Sequence, residues 1–135
     1  MVCVGEGVQR RNNHKMDKLM KTLHLPLKKE WYEMIERGEK TEEYREIKPY
    51  WSKRFTRDFP LISSFRLDYA IWSGDFSEIR GRILHPIYKA VKFSYGYTKR
   101  TMTFELLRIR IDIGRPEWGA PKEVVFILDL GKRIE

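Results

Sequence analysis

Apolar and polar positions divide the chain into short strands and one clear helix. Leu23, Leu25 and Leu27 alternate with Thr22, His24 and Pro26, the period of a half-buried strand whose proline suits an edge or an end. In the following LKKEWYEMIERGEK, Trp31, Met34 and Ile35 fall at i, i+3 and i+4, while Lys29, Glu30, Glu33, Glu36 and Arg37 fill the opposite face. That spacing predicts a helix of about nine or ten residues packed on a sheet. Gly38 supplies the left-handed residue that ends it. EKTEEYREI then reads as a strand, with Thr41, Glu43, Arg45 and Ile47 on one face and Lys40, Glu42, Tyr44 and Glu46 on the other. One face must turn inward, which would bury Glu43 and Arg45 at a cost unless they pair with each other, a ligand or the backbone. Local conflicts of this kind gather at functional sites.

KPYWSKRFTRDFP, with prolines near both ends, reads as an aromatic-basic loop containing one helical turn. Residues 66 to 72 fit a strand or a short helix, broken by Ser73-Gly74-Asp75. Residues 86 to 95 read as a strand ending at the turn Tyr95-Gly96-Tyr97. In LRIRIDI, Leu107, Ile109, Ile111 and Ile113 alternate with Arg108, Arg110 and Asp112, a strand buried on one face; Phe104 and Leu106 lie on the opposite parity, which predicts a bulge near Leu106. Gly114 to Pro121 is a turn-rich loop holding Trp118, and VVFILDL is apolar on both faces, hence a central strand. Residues 1 to 20 show neither period and are expected to form a flexible basic extension. The fold expected for residues 21 to 135 is α+β: a small, mostly antiparallel β-barrel of five or six strands with one clear N-terminal helix and one or two short helical turns.

Length and composition fit this picture. A chain of 135 residues forms one domain with a core of its own, and 13% aromatic residues set it apart from disordered chains. One cysteine, Cys3, excludes an internal disulfide, and His14, His24 and His85 are too scattered for a zinc cluster, so neither metal nor cofactor is expected. No run approaches the roughly 18 apolar residues of a spanning helix, and no apolar block near the start suits a secretory signal. A cytoplasmic protein with no membrane partner is the resulting expectation. Walker-type glycine loops, dinucleotide fingerprints, paired metalloprotease histidines and nucleophile elbows are absent from the sequence.

Charge adds a partner class. Lys and Arg number 27 against 19 Asp and Glu, a net charge of +8. Residues 1 to 24 carry five bases against two acids, and the stretch from Arg66 to Arg100 seven against three. A basic surface attracts polyanions such as nucleic acid, although ordinary solubility charge is the competing reading.

The residues Gly38, Lys40, Glu43 and Arg45, within GEKTEEYRE, reproduce the spaced glycine, lysine, glutamate and arginine signature of the ASCH domains, relatives of the PUA domains of RNA-modifying proteins. LHLPLKKEWYEMIERGEKTEEYREIKPYW is similar to that family's opening strand, helix and motif strand, and FSYGYTKRTMTFE, EWGAP and VVFILDLGKRI resemble its later elements. The resemblance covers roughly residues 22 to 56 and 86 to 134. It implies a PUA-like β-barrel with a cleft beside the helix that binds RNA or a modified nucleoside.

The residues themselves suit that role. Lys40, Arg45 and Lys48 could meet phosphate or base edges, Tyr44, Tyr50 and Trp51 could stack on bases, and Glu43 could accept from an exocyclic amine or hold Arg45. Tyr97 and Lys99, beyond Gly96, fit either a basic loop at the cleft mouth or a solvated turn. Each residue also has a plainer reading: Glu43 and Arg45 a structural ion pair, Lys40 a complement to the helix dipole, Tyr44, Trp51 and Trp118 packing.

Some members of the family are amidohydrolases that deacetylate acetylated cytidine with a lysine and a threonine on the motif strand and an acid elsewhere. Lys40 matches the lysine, but Glu43 stands at the threonine position, with Thr41 two residues earlier. Glu43 beside Lys40 would favour the charged lysine and oppose its use as a base; Glu105 and Asp75 are candidate distant acids. Metal-independent ribonuclease activity in the same cleft is a further enzymatic reading, and a protein-interaction domain is a third class.

Overall fold

The structure, a computed structural model, describes residues 21–56, 64–84 and 87–135. The basic extension expected over residues 1 to 20, with Cys3 and His14, lies outside the described residues, as does His85. The elements run β1 (Thr22–Leu27), α1 (Lys29–Glu36), β2 (Glu42–Arg45), α2 (Pro49–Thr56), α3 (Ser64–Ser73), β3 (Ile83–Leu84), β4 (Ala90–Tyr95), β5 (Thr101–Ile113), a 3₁₀ turn (Pro116–Trp118) and β6 (Val124–Arg133).

The strands form one sheet in the order β1-β4-β5-β6-β2, with β3 pairing on β5. Pairing is antiparallel except between β1 and β4, which run parallel. The sheet curls into a half-barrel and does not close: β1 and β2 end the path without pairing to each other. The half-barrel is compatible with the expected α+β barrel, and among the described residues it stays open on one side. Both open edges are poor templates for a further strand. Pro26 in β1 has no N–H, and β2 is only four residues of largely charged sequence.

The alternation of β5 holds at its centre, where Ile109 and Ile111 are fully buried, whereas Leu107 and Ile113 are exposed. The register shifts on both sides of Leu106, so that Phe104 and Leu106, which break the parity of the later residues, are buried as well. The bulge lets the 13-residue strand carry β4 along its first half and β3 along its second. Val125 to Leu128 of β6 are buried on both faces of the sheet, as a central strand requires. The main core lies between the sheet's concave face and the helices, and a small second cluster of Tyr44, Ala120, Val125 and Ile127 lies apart from it.

One helical expectation changes and one open reading is resolved. KPYWSKRF holds a two-turn helix rather than one turn in a loop. Pro49 opens it at a position where a missing N–H costs nothing, and Trp51 stacks on Phe55 one turn later at 5.6 Å. Residues 66 to 72, open between strand and helix, lie within α3, whose Leu67 and Ala70 are buried at helical spacing. In α1 the residues buried to the hilt are Tyr32 and Ile35; Trp31 and Met34 are only half-buried.

Candidate functional site

The end of α1 delivers the central residue of the site. Gly38 has φ +80°, its N–H donates to the Ile35 carbonyl, and the N–H of Glu39 donates to that of Met34, a complete Schellman closure. The next amide, Lys40, also donates to the Met34 carbonyl, so Lys40 belongs to the helix cap and not to the strand that begins at Glu42. The two-residue alternation therefore does not extend back to it. Lys40 stands beside Glu43, not on the opposite face as the pattern predicted.

Lys40 is 2% exposed. Its Nζ lies 2.8 Å from Glu43 Oε1 and donates to the Trp118 carbonyl, with the rings of Trp31 and Tyr44 at 4.9 and 5.0 Å. These are a cation's neighbours: a carboxylate, a carbonyl and two π faces. The other carboxylate oxygen of Glu43 accepts from Arg45 Nη1 at 2.5 Å. Arg45 also donates to the Tyr44 carbonyl at 2.7 Å and, through Nη2, to the Pro26 carbonyl at 3.4 Å, and its guanidinium lies 5.4 Å from the Trp51 ring centre. It thus spans the seam between β2 and β1, where the barrel stays open. Five N–H groups against these three acceptors leave the guanidinium able to donate to a ligand.

Over this chain of charges lies a cleft of about 580 Å³, a volume in the range of small-molecule sites and sufficient for one nucleoside. Half-buried Trp31, Trp51 and Trp118 stand in its walls, and its charged lining is Lys28, Lys40, Arg45 and Lys48 against Glu43 and Glu46. Close backbone approach shapes one wall. Gly119 has φ +96°, and a Cβ there would meet the Trp31 indole at 2.8 Å, so the glycine lets that ring lie against the chain.

Six residues proposed from sequence therefore meet in the cleft: Lys40, Glu43, Tyr44, Arg45, Lys48 and Trp51. Tyr44 is present more as floor than as a stacking surface, being 7% exposed. Its hydroxyl donates to Glu42 at 2.8 Å and accepts the Arg115 N–H at 3.2 Å. Burial, followed by the hydrogen bond to Glu42 and its charge, raises its pKa well above the ordinary value, against the lowering effect of the Arg115 N–H. Lys48 pairs with Glu46 at the exposed rim at 2.9 Å. Three residues stand outside the cleft. Tyr50 lies edge-on to Trp51 on the outer side of α2 with Arg54 over its own ring at 3.9 Å, and Tyr97 and Lys99 belong to the exposed β4–β5 turn, Tyr97 lining a neighbouring groove.

Trp31 and Trp118 are the cleft residues that sequence reading assigned to packing. Trp31 sits at the first position of the helical stripe, and its distinguishing partner is Gly119, far along the chain. The candidate distant acids do not reach the cleft: Asp75 accepts from the Ser77 amide in the turn after α3, and Glu105 sits opposite Ala90 in the sheet. Among the described residues no group of three or more His, Cys, Asp or Glu side chains is placed to hold a metal, and no helix is long and apolar enough to cross a membrane. No protein-family model, curated protein or solved structure matches the chain.

Proposed function

We propose that the chain is a PUA-like domain of the ASCH type and that the seam cleft receives one unpaired or modified base of an RNA strand. One observation carries this reading: buried Lys40 and Glu43 and half-buried Arg45 join two cations to one carboxylate in a cleft that three tryptophan side chains also line. A surplus cation partly withdrawn from water is costly without a counter-charge, and a phosphate or an electron-rich base edge supplies one. The tryptophans offer flat apolar surface to any base, while Lys40 and Arg45 offer donors to its edge or to the sugar-phosphate. Glu43 organises both cations, and each of its oxygens keeps a further lone pair for an exocyclic amine.

The amidohydrolase reading shares the cleft but asks Lys40 to act as a base. Its neighbours, the Glu43 carboxylate and the Trp118 carbonyl, are those of a hydrogen-bond donor, which supports recognition over turnover.

The test is binding of a labelled single-stranded RNA by fluorescence anisotropy between 50 and 200 mM salt. Affinity is expected to fall steeply with salt, and Arg45→Ala to weaken it roughly ten-fold or more, beyond the effect of replacing Arg10, Arg11, Lys15 and Lys18 together by Gln. Equal affinity of wild type and Arg45→Ala overturns the cleft reading. Release of cytidine from acetylated cytidine, abolished in a folded Lys40→Ala variant, would replace it with the amidohydrolase; cutting of the RNA itself would replace it with the nuclease.

A further inference from the structure

Beside the cleft runs a second groove of about 640 Å³, lined by the β1–α1 junction and the β4–β5 turn. Pro26, Leu27 and Lys28 wall both spaces, so a ligand leaving the cleft over this ridge enters the groove directly. Lys28 and Lys29 line the groove against the single acid Glu30, and Lys99 adds a base on the same turn. Its far wall is Tyr97, a large aromatic ring 97% exposed at the tip of the hairpin.

The position of Tyr97 follows from local structure. Gly96 takes a left-handed φ of +60°, its N–H donates to the Leu27 carbonyl at 2.8 Å, and the amide and hydroxyl of Thr98 both donate to the Tyr95 carbonyl. The turn is thereby tied to the end of β1, and its tyrosine stands beside the ridge shared by the two spaces. A single exposed aromatic is common on protein surfaces. An exposed aromatic across a groove from paired lysines, continuous with a cleft walled by tryptophans, is the layout of a single-strand track.

We infer that the groove is a second nucleotide subsite. The nucleotide next to the one held in the cleft carries its phosphate over Lys28 and lays its base on Tyr97. The inference rests on the cleft reading above and narrows its substrate class from a nucleoside to a single-stranded oligonucleotide.

Calorimetric titration of the full chain with the four nucleoside monophosphates and with a random-sequence RNA trinucleotide tests it. The trinucleotide is expected to bind about ten-fold more tightly than the best monophosphate, in line with the contribution of one stacked base. Tyr97→Ala should remove most of that gain, whereas Tyr97→Phe should retain it. Equal affinity for the two ligands, or a gain that survives in Tyr97→Ala, overturns the second subsite. If monophosphates bind and depend on Arg45 without any gain on lengthening, the second subsite alone is lost. If neither ligand binds, the cleft reading falls and the subsite with it. Capture of a protein partner through Tyr97, with no dependence on oligonucleotide length, would reassign the groove to protein docking and likewise overturn the subsite.

Discussion

Glu42 and Glu43 are neighbours on one short strand, yet they build two different charge networks. Glu42 turns to the face where Arg110 meets it, and Arg110 in turn binds Asp129 at 2.8 Å, which also accepts from Arg108 at 2.7 Å. Two arginines meet two carboxylates there, and the network stitches β2, β5 and β6 together across part-exposed surface. Glu43 turns the other way, to side chains from its own stretch, where two cations share one carboxylate; the Lys40 and Glu43 side chains are 1% and 6% exposed, and Arg45, at 18%, reaches the cleft. The outer network is complete in itself. The inner one has a surplus positive charge in a low-dielectric setting beside an open cleft, and a ligand can complete it. Net charge, with the full burial of Lys40, more than the number of ion pairs, distinguishes a site from a seam of stitching.

The largest expected effect separates the two glutamates. Glu43→Ala strands Lys40 and Arg45 without their carboxylate and should cost about 3–5 kcal/mol. Glu42→Ala leaves Arg110 its Asp129 partner and should cost about 1–2 kcal/mol. Urea unfolding of both variants decides the matter, and equal losses would erase the contrast.

A smaller effect sits at Tyr44, which touches both networks. Tyr44→Phe should cost about 1 kcal/mol near neutral pH for the lost hydroxyl bonds. It should also flatten the alkaline limb of the stability curve. The folded-state pKa is raised above the ordinary 10.0, so below pH 10 both folded and unfolded forms keep the proton and stability is flat with respect to this group. Above pH 10 the unfolded chain releases its proton first, and stability falls as pH rises toward the folded value. Tyr95, raised chiefly by its hydrogen bond to Glu33, keeps part of that decline in the variant. Urea midpoints measured from pH 8 upward check the sign; a decline as steep in Tyr44→Phe as in wild type would mean that this hydroxyl does not govern it.

The smallest effect belongs at the edge of the outer network. The Arg108 side chain is 51% exposed, and Asp129 keeps Arg110 without it. Arg108→Ala should therefore change stability by less than about 1 kcal/mol. A thermal-melt loss equivalent to more than about 2 kcal/mol would show that the outer network acts as one cooperative unit, making it more like the buried chain than its exposure implies.

Much of the sheet was legible from short-range pattern. The alternation through Ile109 and Ile111, the parity break at Leu106, the edge placement of Pro26 and the two-faced apolar run of β6 all concern residues whose environment repeats every two positions. α2 was not legible as a helix because the prolines near both ends of KPYWSKRFTRDFP resemble loop boundaries, and only the packing of Phe55 against Phe126, at 5.0 Å, reveals why two turns are kept. At the site, Glu43 and Arg45 declared themselves as charges on an inward face. Tyr50 did not, since position beside Trp51 in sequence puts it on the other side of a helix.

What the sequence determined by itself was local: where glycines end elements, which strands are half-buried and which are central, and that one strand must carry charges toward the interior. These depend on residues within a few positions of one another. Tertiary structure decided that Lys40 belongs to the cap of α1 and pairs with Glu43, that the barrel stays open at a seam bridged by Arg45, and that Trp31 and Trp118 face a cleft. The reason is distance along the chain. Lys40 meets the Trp118 carbonyl across 78 residues, and Trp31 rests against Gly119, contacts that no periodicity encodes and that only the curl of the sheet brings together.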